Sequence, residues 1–297
     1  MTPVDRADAA ERWHTDGWCV LEGLFTDHEV ATAREAVVGL FPTAAEVAAG
    51  AFGEERVGWG AAKPIFPFAS GALNRLVVHD AVLDLAEELL GTDRIRLYQG
   101  MVSVKYPGLR DEYEQLLHAD YGNHTLVVPR DEDGYRHLEL FVYLSDVTPD
   151  TAATRMVSRR LTTGIPVERT YLAFDEYAAL YGAEVPATGP AGSVLAYRPD
   201  VYHRGTAMRT GSEARFLLHA AFRPADAEWV GFHTWPIAGE GFEWHRFVAR
   251  ATVRQLTVLG FPEPGHPYWT AETLAGVGAR YPTLDMGPWA RAAADAR

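Results

Sequence analysis

The sequence predicts a mainly β fold with helical ends, on three observations. From residue 94 onward the apolar residues recur with period two, over Arg94–Tyr106, His137–Val147, Ser193–Tyr197 and Arg215–Phe222, the alternation of a strand with one face against a core. Turns rich in Gly, Pro and Asp separate these runs, and strands that follow one another without crossover helices build an antiparallel sandwich or barrel. The flanks carry helical spacing instead. With no repeat, low-complexity tract or flexible linker, the chain reads as one domain over residues 1–297. It divides into N-terminal helices over about 1–92, a β core over about 94–224 and a C-terminal helical extension over about 225–297.

Taken in order, residues 11–25 predict a short helix, a turn at Asp16-Gly17 and a strand. Thr26 and Glu29 have the spacing of a capping box, and Val30, Ala33, Val37, Leu40 and Phe41 continue a helix that Pro42 stops. Residues 50–72 read as an irregular, aromatic-rich loop able to cover a pocket or to pack on itself. Leu83, Ala86, Leu89 and Leu90 mark a helix that begins near Asp80 and ends at Gly91. Within the core, Leu138, Leu140, Val142 and Leu144 alternate with Glu139, Phe141, Tyr143 and Ser145. The segment 148–191 is a long insertion with a helix expected at Asp175–Tyr181, and helical spacing returns over Glu243–Leu259.

Composition narrows the function. The formal charge of −13 opposes a nucleic-acid or anionic-membrane partner, since phosphate contacts need clustered Lys and Arg. The single cysteine, Cys19, excludes an intramolecular disulfide or a thiolate metal cage. No signal peptide or membrane-spanning run is apparent. A cytoplasmic protein acting on a small molecule is the expectation.

The chemistry begins at His118 and Asp120. Residues two apart on a strand point to one face, so an imidazole and a carboxylate there form two-thirds of a 2-His-1-carboxylate site for non-haem iron. Of 11 histidines, His203 is the expected third ligand. It follows the strand Ser193–Tyr197 and precedes Gly205, where backbone can approach a ligand closely. Twelve residues later Arg215 heads an apolar strand, an expensive place for a guanidinium unless it meets an anion. Arg grips a carboxylate with two parallel hydrogen bonds. Metal and Arg together point to a dicarboxylate chelated at one end and salt-bridged at the other.

These residues, with Asp16–Phe25, the strand and turn Met101–Gly108, Leu144-Ser-Asp146 and the turn Ala191–Leu195, resemble the phytanoyl-CoA dioxygenase family over most of the chain. The resemblance implies a double-stranded β-helix (jelly-roll, cupin-like) core and an Fe(II)- and 2-oxoglutarate-dependent oxygenase. O2 would be the co-reactant, with succinate and CO2 released and a C–H of a secondary metabolite or acyl derivative hydroxylated. It implies His118, Asp120 and His203 as iron ligands and Arg215 as the clamp on 2-oxoglutarate. Lys63, Met101, Ser103 and Thr206 would also meet that cosubstrate, and Phe141 would be a wall. Halogenating relatives lack the carboxylate; Asp120 is present, so hydroxylation or desaturation is expected. The chain departs from the family at Val157–Arg160, in place of Pro-Gly-Ser-His, and at Thr151-Ala152, in place of Asn-Gly. The spacing from His203 to Arg215 is one residue longer than the family pattern implies, which makes Arg209 the alternative clamp.

Trp59, Phe66, Tyr121, His124, Arg130 and Arg159 form the expected substrate rim. His219 reads as a core-facing or cross-strand histidine, and His79, His233, His245 and His266 as structural. A cupin-like isomerase or ligand-binding module would also explain the three metal ligands, but it leaves Arg215 without a task. A metal-free β sandwich is the third reading.

Overall fold

The computed structural model describes residues 6–52, 57, 63–109, 114–120, 124, 137–165, 169–211, 213–227 and 242–295. Trp59, Tyr121 and Arg130 of the expected rim lie outside the described residues, as does His233.

The strands are β1 (Trp18–Leu21), β2 (Ile95–Lys105), β3 (Leu117–His118), β4 (Leu138–Tyr143), β5 (Arg155–Met156), β6 (Tyr171–Leu172), β7 (Val185–Pro186), β8 (Val194–Tyr197), β9 (His203–Arg204) and β10 (Arg215–Pro224). They form two five-stranded sheets, a major one in the order β1-β8-β4-β10-β2 and a minor one in the order β6-β3-β9-β5-β7. From β2 to β4, and again from β8 to β10, the chain alternates between the sheets, the winding of a jelly roll. The sheets are open at their edges, and every pair of strands is antiparallel.

The period-two pattern fixes which side chains face where. Leu138, Leu140 and Val142 of β4, with Phe216, Leu218, Ala220 and Phe222 of β10, pack under the helices, as do Val82, Leu83, Ala86 and Leu89 of the helix Asp80–Leu90. Phe141, Tyr143, Leu195, Tyr197 and Leu217 face the minor sheet. Both faces of β4 are therefore buried, which an alternating sequence alone does not require. The helices start where local chemistry satisfies their first amides. Thr26 and Glu29 close a capping box, and His79 accepts from the Ala81 amide at 3.2 Å. Gly91 ends that second helix in the left-handed conformation, φ 67°, which glycine adopts without a Cβ penalty.

Several boundaries moved. The segment 50–72 was expected to be irregular, yet Ser70 caps a helix over Gly71–Val77. The Asp175–Tyr181 helix lies at Ala178–Ala183. The stretch 243–259 is two helices, Phe242–Val248 and Val253–Val258, because Thr252 and Gln255 form a fresh capping box between them. Phe66 is not a rim residue. It is fully buried in the helix-side core, with its ring 5.0 Å from Phe247. Apolar flanks made it resemble a pocket wall, but Gly100 leaves room for it on the far side of the major sheet: a Cβ there would lie 2.8 Å from the Phe66 Cβ.

Ala152 is the one described non-glycine residue at positive φ, 66°. It occupies the Asn-Gly position of the family turn, and a Cβ in that region costs about 1–2 kcal/mol. Ala152→Gly removes that penalty at the cost of a more flexible unfolded chain. The variant is therefore expected to be more stable by about 0.5–1 kcal/mol, read as a higher midpoint in urea unfolding with an unchanged slope.

Candidate metal centre and cosubstrate pocket

His118 and His203 face each other across the minor sheet, as paired residues of β3 and β9, with ring centroids 4.5 Å apart. Asp120 follows β3 and turns its carboxylate into the same space. Its Oδ1 lies 3.7 Å from His118 Nε2 and its Oδ2 3.3 Å from His203 Nε2. One ligand atom from each residue lies within 4.8 Å of the others. The far nitrogen of each ring is held by backbone: His118 Nδ1 is 2.9 Å from the Leu116 carbonyl and His203 Nδ1 is 3.0 Å from the Val201 carbonyl. A carbonyl only accepts, so each Nδ1 carries the proton and each Nε2 offers a lone pair to the shared point.

The electrostatics match that donor set. Burial and the neighbouring His203 hold His118 below the usual histidine range. Burial opposes ionisation of Asp120, but the facing imidazole of His203 outweighs it and keeps the carboxyl well below its usual range. His203 is correspondingly raised: Asp120 overcomes the cost of burial. A carboxylate that holds a proton on a buried imidazole is poised to exchange that proton for a divalent cation. Two neutral imidazoles and a carboxylate are the ligand types that suit Fe(II), so the residues fit the metal.

Tyr197, which the sequence marked only as the end of a strand, donates its hydroxyl to Asp120 Oδ2 at 2.8 Å. It ends β8 and is almost wholly buried. A hydrogen bond to a ligating carboxylate fixes its orientation and is worth about 10–100-fold in metal affinity. Tyr197→Phe is expected to weaken Fe(II) binding by about that factor, measured anaerobically by competition with a chelator.

The three residues open into a cavity of about 650 Å³ whose lining includes Lys63, Met101, Ser103, His124, Arg215 and His219. Arg215 heads β10, is 3% exposed and donates from Nη2 to the Ala152 carbonyl at 2.8 Å. Directly opposite it on β2 stands Lys105, also buried and in the cavity wall. Burial and the Arg215 charge push Lys105 well below the usual lysine range. Like charges directly opposite on a sheet destabilise it, so an anion between them would stabilise the fold. The sequence reading missed Lys105, although a lysine inside an apolar strand carries the same signal that singled out Arg215. Gly205, expected to let backbone near a ligand, lines the cavity and also makes room for Lys105: a Cβ there would lie 2.9 Å from its Nζ and 2.6 Å from Gln115 Oε1.

Not all the expected residues reach this pocket. Thr206 is buried but turns its hydroxyl to the Ala153 carbonyl, 2.8 Å away; its own carbonyl accepts from Lys105 at 2.7 Å. Arg209 is exposed on the surface. Arg159 pairs with Asp200 at 3.3 Å, and neither it nor Thr206 is in the cavity wall. A loop arginine has close carboxylates to satisfy it locally, which the one-dimensional sequence does not reveal.

His219, expected as a core-facing or cross-strand histidine, lies in the cavity wall with Nε2 2.7 Å from Ser103 Oγ on the neighbouring strand. Burial, with Arg215 and Lys63 nearby, lowers it to about 3 from 6.5. Above 6.5 neither folded nor unfolded chain protonates this ring; below it the unfolded chain takes a proton that the fold refuses. Stability therefore falls with acid, by up to about 1.4 kcal/mol per pH unit for this one group. The metal-free His219→Gln variant is expected to lose stability less steeply than the native chain between pH 6 and 4, followed by chemical denaturation. Equal slopes would contradict a buried neutral His219.

A jelly roll whose two sheets bring two histidines and an aspartate to one point, beside a buried Arg–Lys pair, defines a candidate mononuclear metal protein of the double-stranded β-helix class. Residues 13–216 match the family model of phytanoyl-CoA dioxygenase (PhyH), and the chain belongs to that family. None of the curated proteins matches the chain in sequence.

Solved structures share the fold at low identity. EctD from S. alaskensis with bound Fe is 21% identical, with a TM-score of 0.57 over 78% of this chain and 82% of that one. HygX from Streptomyces hygroscopicus with nickel and 2-oxoglutarate bound is 19% identical, with a TM-score of 0.53 over 74% of this chain and 86% of that one. The epimerase SnoN in complex with Fe3+, alpha ketoglutarate and nogalamycin RO is 18% identical, with a TM-score of 0.54 over 74% of this chain and 84% of that one. No helix among the described residues is long and apolar enough to cross a membrane.

Proposed function

We propose that the protein is an Fe(II)- and 2-oxoglutarate-dependent oxygenase that hydroxylates a C–H bond of a small molecule. The observation that carries this reading is the meeting, in one cavity, of the His118–Asp120–His203 convergence with the buried Arg215–Lys105 pair. A metal centre alone fits a cupin-like isomerase or binding module equally well. The adjacent cations add a place for the remote carboxylate of a keto-diacid. The solved structures of HygX and SnoN, with 2-oxoglutarate or alpha ketoglutarate bound, support the same assignment.

When bound, the iron supplies the redox chemistry, in which 2-oxoglutarate and dioxygen become succinate, CO2 and one hydroxyl group on the substrate. The protein's part is placement. His118 and His203 present Nε2 because backbone carbonyls hold each Nδ1–H, and Tyr197 fixes the Asp120 carboxylate. Arg215 and Lys105 orient the diacid from the far end, and Ser103 and Lys63 add donors along its path. Leu217, Phe141 and Leu116 supply apolar wall that limits water around the reacting centre. Among the fold neighbours is an epimerase. Epimerisation is the second outcome compatible with the same residues, and analysis of the product separates the two.

The test is anaerobic addition of Fe(II) and 2-oxoglutarate to the purified protein. A weak visible charge-transfer band is expected, and its loss in His203→Ala. Absence of the band in the native protein would remove the oxygenase reading and leave the cupin-like alternatives.

A further inference from the structure

The cavity is polarised along the major sheet, and its second pole has no part in holding metal or diacid. From Arg215 inward, β10 lines the cavity with Leu217 and His219, and Ala221 is the next residue on that face of the strand. Six residues of strand at about 3.3 Å each place Ala221 about 20 Å from the clamp. Across from Ala221 stand Gln99 on β2 and Glu139 on β4, and Glu139 in turn pairs with Tyr197 on β8. The cations thus lie at one end of this face and a carboxylate with an amide at the other, where Tyr197, paired with Glu139, also hydrogen-bonds Asp120 of the metal site.

Local backbone builds that far end. The pairing of β10 with β2 shifts at Ala221/Phe222, so that Ala221 opposes Gln99 and Phe222 opposes Leu97. Tyr98 is the extra residue of a β-bulge, a device that re-aims side chains beside functional sites. Its hydroxyl donates to Glu139 Oε1 and lies 2.9 Å from His124 Nδ1. His124 Nδ1 is itself 2.9 Å from Glu139 Oε1. These contacts occupy Oε1 and hold the carboxylate still, while Oε2 takes no part in them and Glu139 lines the cavity.

His124, His137 and Glu139 also have ligand atoms within 4.8 Å of one another, but the Tyr98 hydroxyl already satisfies two of the three. The cluster therefore reads as a support for Glu139 rather than a second metal site. Gln99 is the independent observation. It is 2% exposed and lines the cavity. Among the described residues its only side-chain hydrogen bond is a 4.0 Å approach of Nε2 to the Met101 sulfur. Its oxygen has no protein hydrogen-bond partner among the described residues, and Gln99 lines the cavity, where a donor on a ligand can reach it.

We propose that Glu139 and Gln99 form the substrate-recognition pole, and that it selects a substrate presenting a hydrogen-bond donor, a hydroxyl or an amine, and rejects one presenting a carboxylate or phosphate there. This rests on the oxygenase reading and names the substrate class it acts on. A held carboxylate beside an unpaired amide oxygen offers two acceptors to a donor group. At this end an incoming anion meets the Glu139 carboxylate, while Arg215 and Lys105, which would receive an anion, stand at the other end. A donor bound at this end would leave the adjoining carbons of the substrate in front of the metal ligands.

The test uses the protein loaded with Zn(II) and 2-oxoglutarate, and three probes of one skeleton: cyclohexylmethanol, cyclohexylmethylamine and cyclohexanecarboxylate. Binding is read by ligand-observed saturation-transfer NMR. The alcohol and the amine are expected to bind at least five-fold more tightly than the carboxylate. Glu139→Gln is expected to remove that discrimination, and Gln99→Met to weaken the alcohol and amine together. Should Glu139→Gln fail to fold without its carboxylate network, the native ranking and Gln99→Met still decide. Equal binding of the carboxylate, a ranking unmoved by both folded variants, or no binding of any probe would overturn the proposal. The Fe(II)/2-oxoglutarate band of the same purified protein, loaded with Fe(II) in place of Zn(II), separates the two failures. A band without the ranking sinks only this inference, and no band sinks the oxygenase reading beneath it.

Discussion

Arg215→Leu is expected to raise the 2-oxoglutarate concentration needed for half-maximal formation of the charge-transfer band by about 10²–10³-fold. Removing one member of a buried charge pair costs about 3–5 kcal/mol, and each 1.4 kcal/mol is tenfold in affinity. Lys105, opposite Arg215 on β2, retains part of the attraction and sets the lower end of the range. Fe(II) affinity in the absence of 2-oxoglutarate should stay within a few-fold of native, because Arg215 touches none of the three metal-site residues in the described contacts. Arg215→Lys is not a conservative rescue: an ammonium lacks the planar fork that meets a carboxylate twice. If Arg215→Leu binds 2-oxoglutarate as tightly as the native chain, the clamp has been misassigned. The exposure of Arg209 then leaves Lys105 and Lys63 as the remaining cations in the cavity wall.

Asp120→Ala is expected to lower Fe(II) affinity by at least about 10³-fold and to abolish succinate release. The carboxylate is the only anionic member of the proposed ligand set, and without it two neutral imidazoles offer a divalent cation no charge. The variant should fold, since a cavity-facing aspartate contributes little packing. Its removal also relaxes His203, whose raised proton affinity depends on Asp120 overcoming burial. Equilibrium dialysis under nitrogen measures the metal, and circular dichroism the fold. Native-like iron binding would show that His118 and His203 recruit a different anion. Because halogenating relatives leave this ligand position without a carboxylate, the native protein supplied with chloride is expected to give no halogenated product.

Much of this architecture was legible before any coordinates. The period-two runs predicted β2, β4, β8 and β10, because a strand's alternation is written residue by residue. The Thr26–Glu29 box and Gly91 marked helix ends, because capping is local chemistry between residues three or four apart. His118 and Asp120 were legible as an imidazole and a carboxylate two residues apart, although the strand ends at His118 and Asp120 follows it; Arg215 was legible because a charge in an apolar run demands a reason.

What the sequence left open are the facts that depend on which strand lies beside which. The pairing of β10 with β2 puts Lys105 opposite Arg215, and that of β4 with β8 puts Glu139 beside Tyr197; neither follows from spacing along the chain. Phe66 and Arg159 carried the composition of a pocket wall. One was drawn into the helix-side core and the other onto Asp200, because burial and ion pairing are settled among neighbours in space. The amino-acid order by itself determined the long strands of the major sheet, the capped helix ends and the family. Only the tertiary structure decided the polarity of the cavity, since a sheet register sums many weak contacts between segments a hundred residues apart.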